Sequence, residues 1–317
     1  MRYREHLAKA FTNEMETDSK VLILGEGVTD PKAIFGTTAE ALSHFPDRVV
    51  ETPISENMIT GACLGMALEG WKPIMVHARC EFIMLSMEHL VDTIAKWPLI
   101  HPEREFTLII RSLVGRGWGQ GPNHSQAFHA MFAHVPGLRV LYPVDPNKVA
   151  YWLHDALVKG GPTIVLEPRR LYEVERLEYP EWETPDAYIV SFGDVVLDAA
   201  AAAVELAKIG IKAQVFPIED VSAMPVPDGY VPVVVADTGH LFCGATAEVV
   251  ARLVEKGNSK VKRVGPPFIP LPTSAALEEL WYPSANDLFQ AVCDLLNKPA
   301  EMPPLTLATD KAFQGPF

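Results

Sequence analysis

The 317-residue chain is short of several things. Its four cysteines, Cys63, Cys80, Cys243 and Cys293, are scattered, with no CxxC and no paired spacing. That argues against a disulfide framework and for free thiols in a reducing compartment, the cytoplasm. No apolar run approaches about 18 residues, so no membrane-spanning helix is expected. The start, Met1-Arg2-Tyr3-Arg4-Glu5-His6, leads into an amphipathic helix with charges inside it rather than into a signal segment. Positive charge is scarce: 27 Lys and Arg against 40 Asp and Glu leave a net charge of −13. Such a balance argues against nucleic acid and against an anionic membrane surface as partners. A small anionic ligand suits this chain only where a local site or a metal supplies positive charge. A GxGxxG fingerprint and a P-loop are also missing.

What is present is enough apolar material for a full core, 48% hydrophobic against 21% charged residues, and a length that suggests two domains. Over the first 170 residues short apolar runs alternate with helical stretches. The runs are VLILGEG (21–27), RVVET (48–52), KPIMVH (72–77), FTLIIRS (106–112), LRVLYP (138–143) and TIVLEP (163–168); MLSMEHLVDTIAKW (84–97) and PNKVAYWLHDALVKG (146–160) read as helices. Runs apolar on both faces are buried parallel strands, and the alternation predicts an open α/β sheet covered on both sides. Residues 1–172 form the first such domain. The acidic, proline-containing stretch 173–187 is a linker, 188–298 repeats the α/β alternation as a second domain, and 299–317 is a Pro-rich tail expected to lie extended on a surface.

Ligands of open α/β sheets bind beyond the carboxyl ends of the strands. The residues there are Glu26, Glu56, His77 with Arg79, Arg111, and the loop from Gly115 to His124. Glu56 opens a stretch, 56–70, that is almost uncharged and crowded with Gly, Ala and Met, as a buried helix would be. Two readings of Glu56 stand side by side. Ser55 caps the helix and Glu56 favours its positive end, or the acid is kept there for chemistry.

Four ordered blocks, VLILGEGV, RVVETPISE, GQGPNHSQAFHAMFAHVPGLRVLYPVDP and TIVLEPRRLY, together resemble the beta subunit of the thiamine-diphosphate-dependent E1 component of 2-oxo acid dehydrogenases, the pyruvate, branched-chain and acetoin enzymes among them. The same folds form the last two domains of transketolase, and the resemblance runs from about residue 3 to 297. It implies a pyrimidine-binding domain followed by a transketolase C-terminal-like domain. It implies that Glu56 meets N1′ of the cofactor's aminopyrimidine, favouring the tautomer whose N4′ takes the C2 proton. A glutamate holding a proton near neutral pH needs apolar surroundings, which the uncharged helix supplies. The resemblance also places Phe82, in Cys80-Glu81-Phe82-Ile83, against the aminopyrimidine, though a core role is as ordinary for an aromatic before a helix. His124, in Gly121-Pro122-Asn123-His124-Ser125-Gln126, matches a family loop with Asn123 in place of Gln, and can donate to a substrate carboxylate or acyl oxygen. His134 also matches, but its place before a turn favours a structural role. Glu26 divides between a role near the cofactor and helix capping.

The diphosphate of thiamine enzymes is held through Mg²⁺ by an Asp from GDG and an Asn about 30 residues later. Here the only Gly-Asp is Gly193-Asp194, with no matching Asn, so the resemblance implies that an alpha-like chain brings the Mg²⁺ ligands in a heterotetramer of two alpha and two beta chains (α₂β₂). A lipoyl-bearing E2 would then accept the acyl unit. Departures from the family pattern are Pro217-Ile218-Glu219-Asp220, the stretch from Asp237 to Gly244, and His77 with Arg79, which are candidate substrate contacts or surface side chains. They leave open a second reading, a two-chain ketol or acyl transferase acting on an aldehyde or ketone such as a sugar. A third is a scaffold that has lost the chemistry, against which Glu56, Phe82 and His124 speak.

Overall fold

A computed structural model describes residues 1–116 and 121–303. Gly117 and Gly119 of the glycine-rich loop, and positions 304–317 of the tail, lie outside the described residues. The chain divides into two compact units: Met1–Val114 with Met131–Arg176, and Gly115–Ala130 with the chain from Leu177 onward.

The first unit is built on six strands, β1 (Val21–Gly25), β2 (Val49–Glu51), β3 (Lys72–His77), β4 (Thr107–Val114), β5 (Arg139–Leu141) and β6 (Gly161–Pro168). All pair in parallel, in the order β2-β1-β3-β4-β6-β5. Burial is unbroken along β1 and β4, as parallel strands covered on both faces require. Among the described residues the α-helices up to β6 are, in chain order, α1 (Tyr3–Thr17), α2 (Ala39–His44), α3 (Glu56–Leu68), α4 (Cys80–Ile83), α5 (Trp97–Ile100), α6 (His129–Ala133), whose first two residues belong to the second unit, and α7 (Val149–Lys159). From β1 the chain turns to β2 on one side, and from β3 to β4 on the other. The point where the strand order reverses therefore lies between the carboxyl ends of β1 and β3, where Gly25 pairs with Val76.

Three expectations are corrected. The stretch 84–97 is not one α-helix: Met84–Ser86 is a 3₁₀ turn and His89–Ile94 is wound as a π-helix, before α5 begins at Trp97. Arg111 is not beyond a strand end, because β4 continues to Val114 and keeps Arg111 inside the sheet. And α3 is not buried all round. Glu56, Ile59, Thr60, Cys63, Leu64 and Ala67 are buried, while Met58, Ala62 and Gly65 face outward at helical spacing.

The second unit carries β7 (Ala187–Phe192), β8 (Ala213–Ile218), β9 (Val233–Ala236) and β10 (Val261–Val264), parallel in the order β10-β9-β7-β8. Its helices are α8 (Val195–Lys208), α9 (Ala245–Glu255), α10 (Ala275–Trp281) and α11 (Ala285–Leu296). Here the order reverses between β7 and β9. Among the described residues no helix is long and apolar enough to cross a membrane.

Candidate active site

Two acids mark the switch point of the first sheet. Glu26 follows β1, and Glu56 opens α3, one short connection after β2. A third, Glu51, ends β2 and shapes the turn: its carboxylate accepts from Gly27 N (2.6 Å), Thr29 N (3.1 Å) and Thr29 Oγ1 (2.9 Å). Glu56 is only 8% exposed. Among the described residues neither Glu26 nor Glu56 has a hydrogen bond or ion pair to its carboxylate. Burial raises the Glu26 pKa above the usual carboxylate value, and the nearby charges of Glu56 and Glu51 raise it further. Ser55 makes no side-chain capping bond to α3, so that half of the capping reading does not hold.

His77 ends β3 and is 3% exposed. Its Nε2 is buried with no hydrogen-bond partner among the described residues, and burial pushes its pKa down to about 4. It is a neutral imidazole at neutral pH. Arg79 precedes α4, buried, with Nη1 donating to the Ala78 carbonyl at 3.0 Å. Burial lowers its pKa to about 10, Glu81 working against the shift and Arg169 with it. Arg169 itself follows β6 and lies over the rings of Phe35 (4.4 Å) and Tyr172 (5.2 Å). Phe82 is half-buried within α4, its N–H on the Arg79 carbonyl at 3.1 Å. Glu26, Glu56, His77, Arg79 and Phe82 thus gather at one edge of one sheet.

Arg111 does something else. Fully buried in β4, it donates through Nε and Nη2 to Glu167 (2.5 and 2.8 Å) and through Nη2 to Thr37 Oγ1 (2.6 Å), while the Tyr172 hydroxyl donates to Glu167 at 2.5 Å. This network ties β4, β6 and the segment after β1 together. Its sequence trace was two opposite charges set inside neighbouring apolar runs, TLIIRS and TIVLEP. His124 sits half-buried in the loop that belongs to the second unit, and His134 is exposed. The reading from sequence missed the groups that hold that loop, Arg116, His129, Asp237 and Tyr282. Asp237 could have been found, since it ends the apolar run VPVVVAD just as Glu26 ends VLILG.

Two parallel α/β units in this order, the first with acids at its switch point, are the architecture of the transketolase-type domains. Residues 1–175 match the transketolase pyrimidine-binding domain, and residues 180–288 the transketolase C-terminal domain. The chain is 30% identical to pyruvate dehydrogenase E1 component subunit beta-1, mitochondrial, of Arabidopsis thaliana, covering 92% of this chain and 88% of the relative. It is 28% identical to the beta subunit of acetoin:2,6-dichlorophenolindophenol oxidoreductase of Cupriavidus necator, covering 89% and 94%. A solved split-gene transketolase, an inactive beta4 tetramer, shares the fold with a TM-score of 0.74 at 20% identity, over 94% of this chain and 98% of that one. The chain belongs to the E1 component beta subunits of the thiamine-dependent 2-oxo acid dehydrogenase family.

Proposed function

We propose that the chain is the beta subunit of a two-chain enzyme that decarboxylates a 2-oxo acid and passes the acyl unit to the lipoyl group of an E2 partner. The observation that carries this reading is Glu56, a nearly buried carboxylate engaged by nothing among the described residues, next to a second acid with suppressed ionisation. Its oxygens are unpartnered yet not sealed from solvent, and so stand open to a ligand whose ring nitrogen can share a proton with them. An aminopyrimidine ring is such a ligand, so these residues fit the family's cofactor. Thiamine diphosphate, when bound, supplies the carbon nucleophile that adds to the 2-oxo carbonyl.

Glu56 presents its carboxyl group to N1′ of the ring, where the two can share a proton. Glu26, its ionisation disfavoured by burial and by the neighbouring Glu56 and Glu51, adds a carboxyl that resists taking on negative charge. Phe82 presents a ring face to the aminopyrimidine. His77 offers a neutral hydrogen-bonding nitrogen and Arg79 a cation to the substrate carboxylate. His124 donates to that carboxylate or to the acyl oxygen. The Mg²⁺ and diphosphate ligands are assigned to the alpha-like partner of an α₂β₂ heterotetramer, since this sequence has no GDG with a following Asn. The four free cysteines suit the cytoplasm, although many relatives are named as mitochondrial.

A second reading, a two-chain ketol transferase, is favoured by one observation: Arg79, buried, and Arg169, half-buried, put two cations at the sheet edge, more positive charge than one carboxylate needs. The deciding experiment is co-purification with the alpha-like chain, followed by a 2-oxo acid screen with mass detection in the presence of a lipoyl domain. Acylated lipoyl supports the leading reading. Two-carbon transfer to an aldehyde, with the lipoyl domain untouched, replaces it with the second.

A further inference from the structure

In an open α/β sheet the crevice at the order reversal is where a ligand binds. In the second sheet that crevice lies between the ends of β7 and β9, followed by Asp194 and Asp237, both buried. The protein's own chain fills it. Arg116 donates from Nε to Asp194 Oδ2 (3.0 Å), from Nη2 to Asp198 Oδ2, and from Nη1 to the Pro283 carbonyl (3.3 Å), its guanidinium 4.9 Å above the Tyr282 ring. Burial works against its charge, but Asp198 and Asp194 outweigh that and raise its pKa. At the far end of the segment the His129 ring, fully buried, meets Asp237 Oδ2 through Nε2 at 2.8 Å and stacks on Phe192 with centroids 5.4 Å apart. Asp237 Oδ1 is held in turn by the Gly239 N–H at 2.9 Å. Between these ends, the Tyr282 hydroxyl donates to the Ser125 carbonyl at 2.8 Å, one residue beyond His124. Gly121 has a φ of +69°, and a Cβ there would stand 2.6 Å from the Thr273 methyl.

We propose that the switch-point crevice of the second domain is a dock for the loop bearing His124, and that Arg116, His129 and Tyr282 are positioning residues for that histidine. The catalytic half of the proposal rests on the role given to His124 above; the docking half rests on the contacts alone. A loop with several glycines loses much conformational freedom when ordered, and three separate fastenings, a buried arginine–aspartate ion-pair cluster, a buried histidine–aspartate hydrogen bond and the tyrosine hydroxyl, supply the opposing contacts. They also account for the buried Asp194 and Asp237, which no bound ligand is needed to satisfy. A catalytic group misplaced by about 1 Å loses on the order of 100-fold in rate, so fastenings this close to His124 bear on turnover.

The test begins on the full chain without ligand. Tyr282→Phe removes one donor and keeps the ring beneath Arg116; Asp237→Asn weakens the histidine clasp, and where it fails to fold, Tyr282→Phe carries the test. Hydrogen exchange read by mass spectrometry should quicken at least tenfold in residues 121–130 and stay unchanged in β7 and β9. In chain labelled with ¹³C at histidine, the His124 signal, identified by its loss in His124→Ala, should shift or broaden. Unchanged exchange together with an unchanged His124 signal overturns the dock. In the enzyme reconstituted with its partner chain, Tyr282→Phe should lower kcat about tenfold with KM within twofold, and should add nothing in a His124→Ala background. An equal loss in both backgrounds overturns positioning. Full turnover by His124→Ala would remove the substrate role of that histidine, and the two ligand-free measurements would still report on the dock.

Discussion

Glu56 is only 8% exposed, yet its carboxylate is engaged by nothing among the described residues and is left open to a ligand. Its position at the start of a nearly uncharged stretch was plain in the sequence. That no partner reaches it was not, because partners come from elements distant in the chain. Glu56→Gln is isosteric and should preserve the fold. In the reconstituted enzyme it should slow exchange of the C2 proton of bound thiamine diphosphate by two orders of magnitude or more, about 3 kcal/mol of barrier. Exchange at the wild-type rate would remove Glu56 from the site. His77 yields a separate prediction, read without cofactor. Its folded pKa of about 4 lies below the ordinary 6.5, so between these values the unfolded chain binds a proton that the folded chain refuses. The stability it contributes is therefore complete above pH 6.5 and lost as pH falls towards 4, by up to about 1.4 kcal/mol per pH unit. His77→Phe abolishes this dependence and should lose about 2 kcal/mol less than wild type on going from pH 7 to pH 5 in urea unfolding of the first unit. Parallel pH profiles for the two chains would show that His77 is not the titrating group.

At the scale of elements, strands were the most legible, because a run such as VLILG or KPIMVH carries its own burial pattern. KPIMVH is β3 to the residue. Windings were the least legible. The apolar spacing of 84–97 suits an α-helix, yet the chain passes from 3₁₀ to π geometry, as shown by the Ala95 N–H on the Leu90 carbonyl five residues back. A change of winding leaves the order of apolar residues intact, so sequence pattern cannot reveal it. In α3 the spacing was right and the burial overestimated, since mean hydropathy does not say which face has a neighbour within the same chain. Its two glycines make the point testable. A Cβ at Gly65 would meet nothing within 4 Å, whereas one at Gly61 would stand 3.0 Å from His89 Nε2. Gly65→Ala should stabilise the isolated chain by about 0.5–1 kcal/mol through helix propensity. Gly61→Ala should gain less or nothing, because the imidazole must give way. Equal unfolding midpoints for the two variants would mean that α3 does not pack against the π-helical stretch as described.

For the whole molecule, the two-sheet architecture and the family were legible because alternation and ordered motifs extend over most of the chain, whereas the membership of residues 115–130 in the second unit was not. A segment between two strands of the first sheet reads as part of that domain; only the buried partners of Arg116 and His129 assign it otherwise. Charge leads to the last prediction. With a net charge of −13, the chain as a whole repels a diphosphate, and attraction must come from a divalent cation with its own ligands. The sequence offers no GDG with a following Asn, and at the first switch point Glu26 is held where added negative charge is unwelcome. What this chain can offer thiamine diphosphate is a ring face and one hydrogen bond, worth on the order of 1–3 kcal/mol together, against the roughly 8 kcal/mol that micromolar binding requires. Calorimetry on the isolated chain should therefore show no saturable binding in the micromolar range, with or without Mg²⁺. Adding the alpha-like chain should bring micromolar or tighter, Mg²⁺-dependent affinity, and Glu56→Gln should change that affinity only slightly while slowing proton exchange. Tight Mg²⁺-dependent binding to this chain alone would overturn the division of the site between two chains.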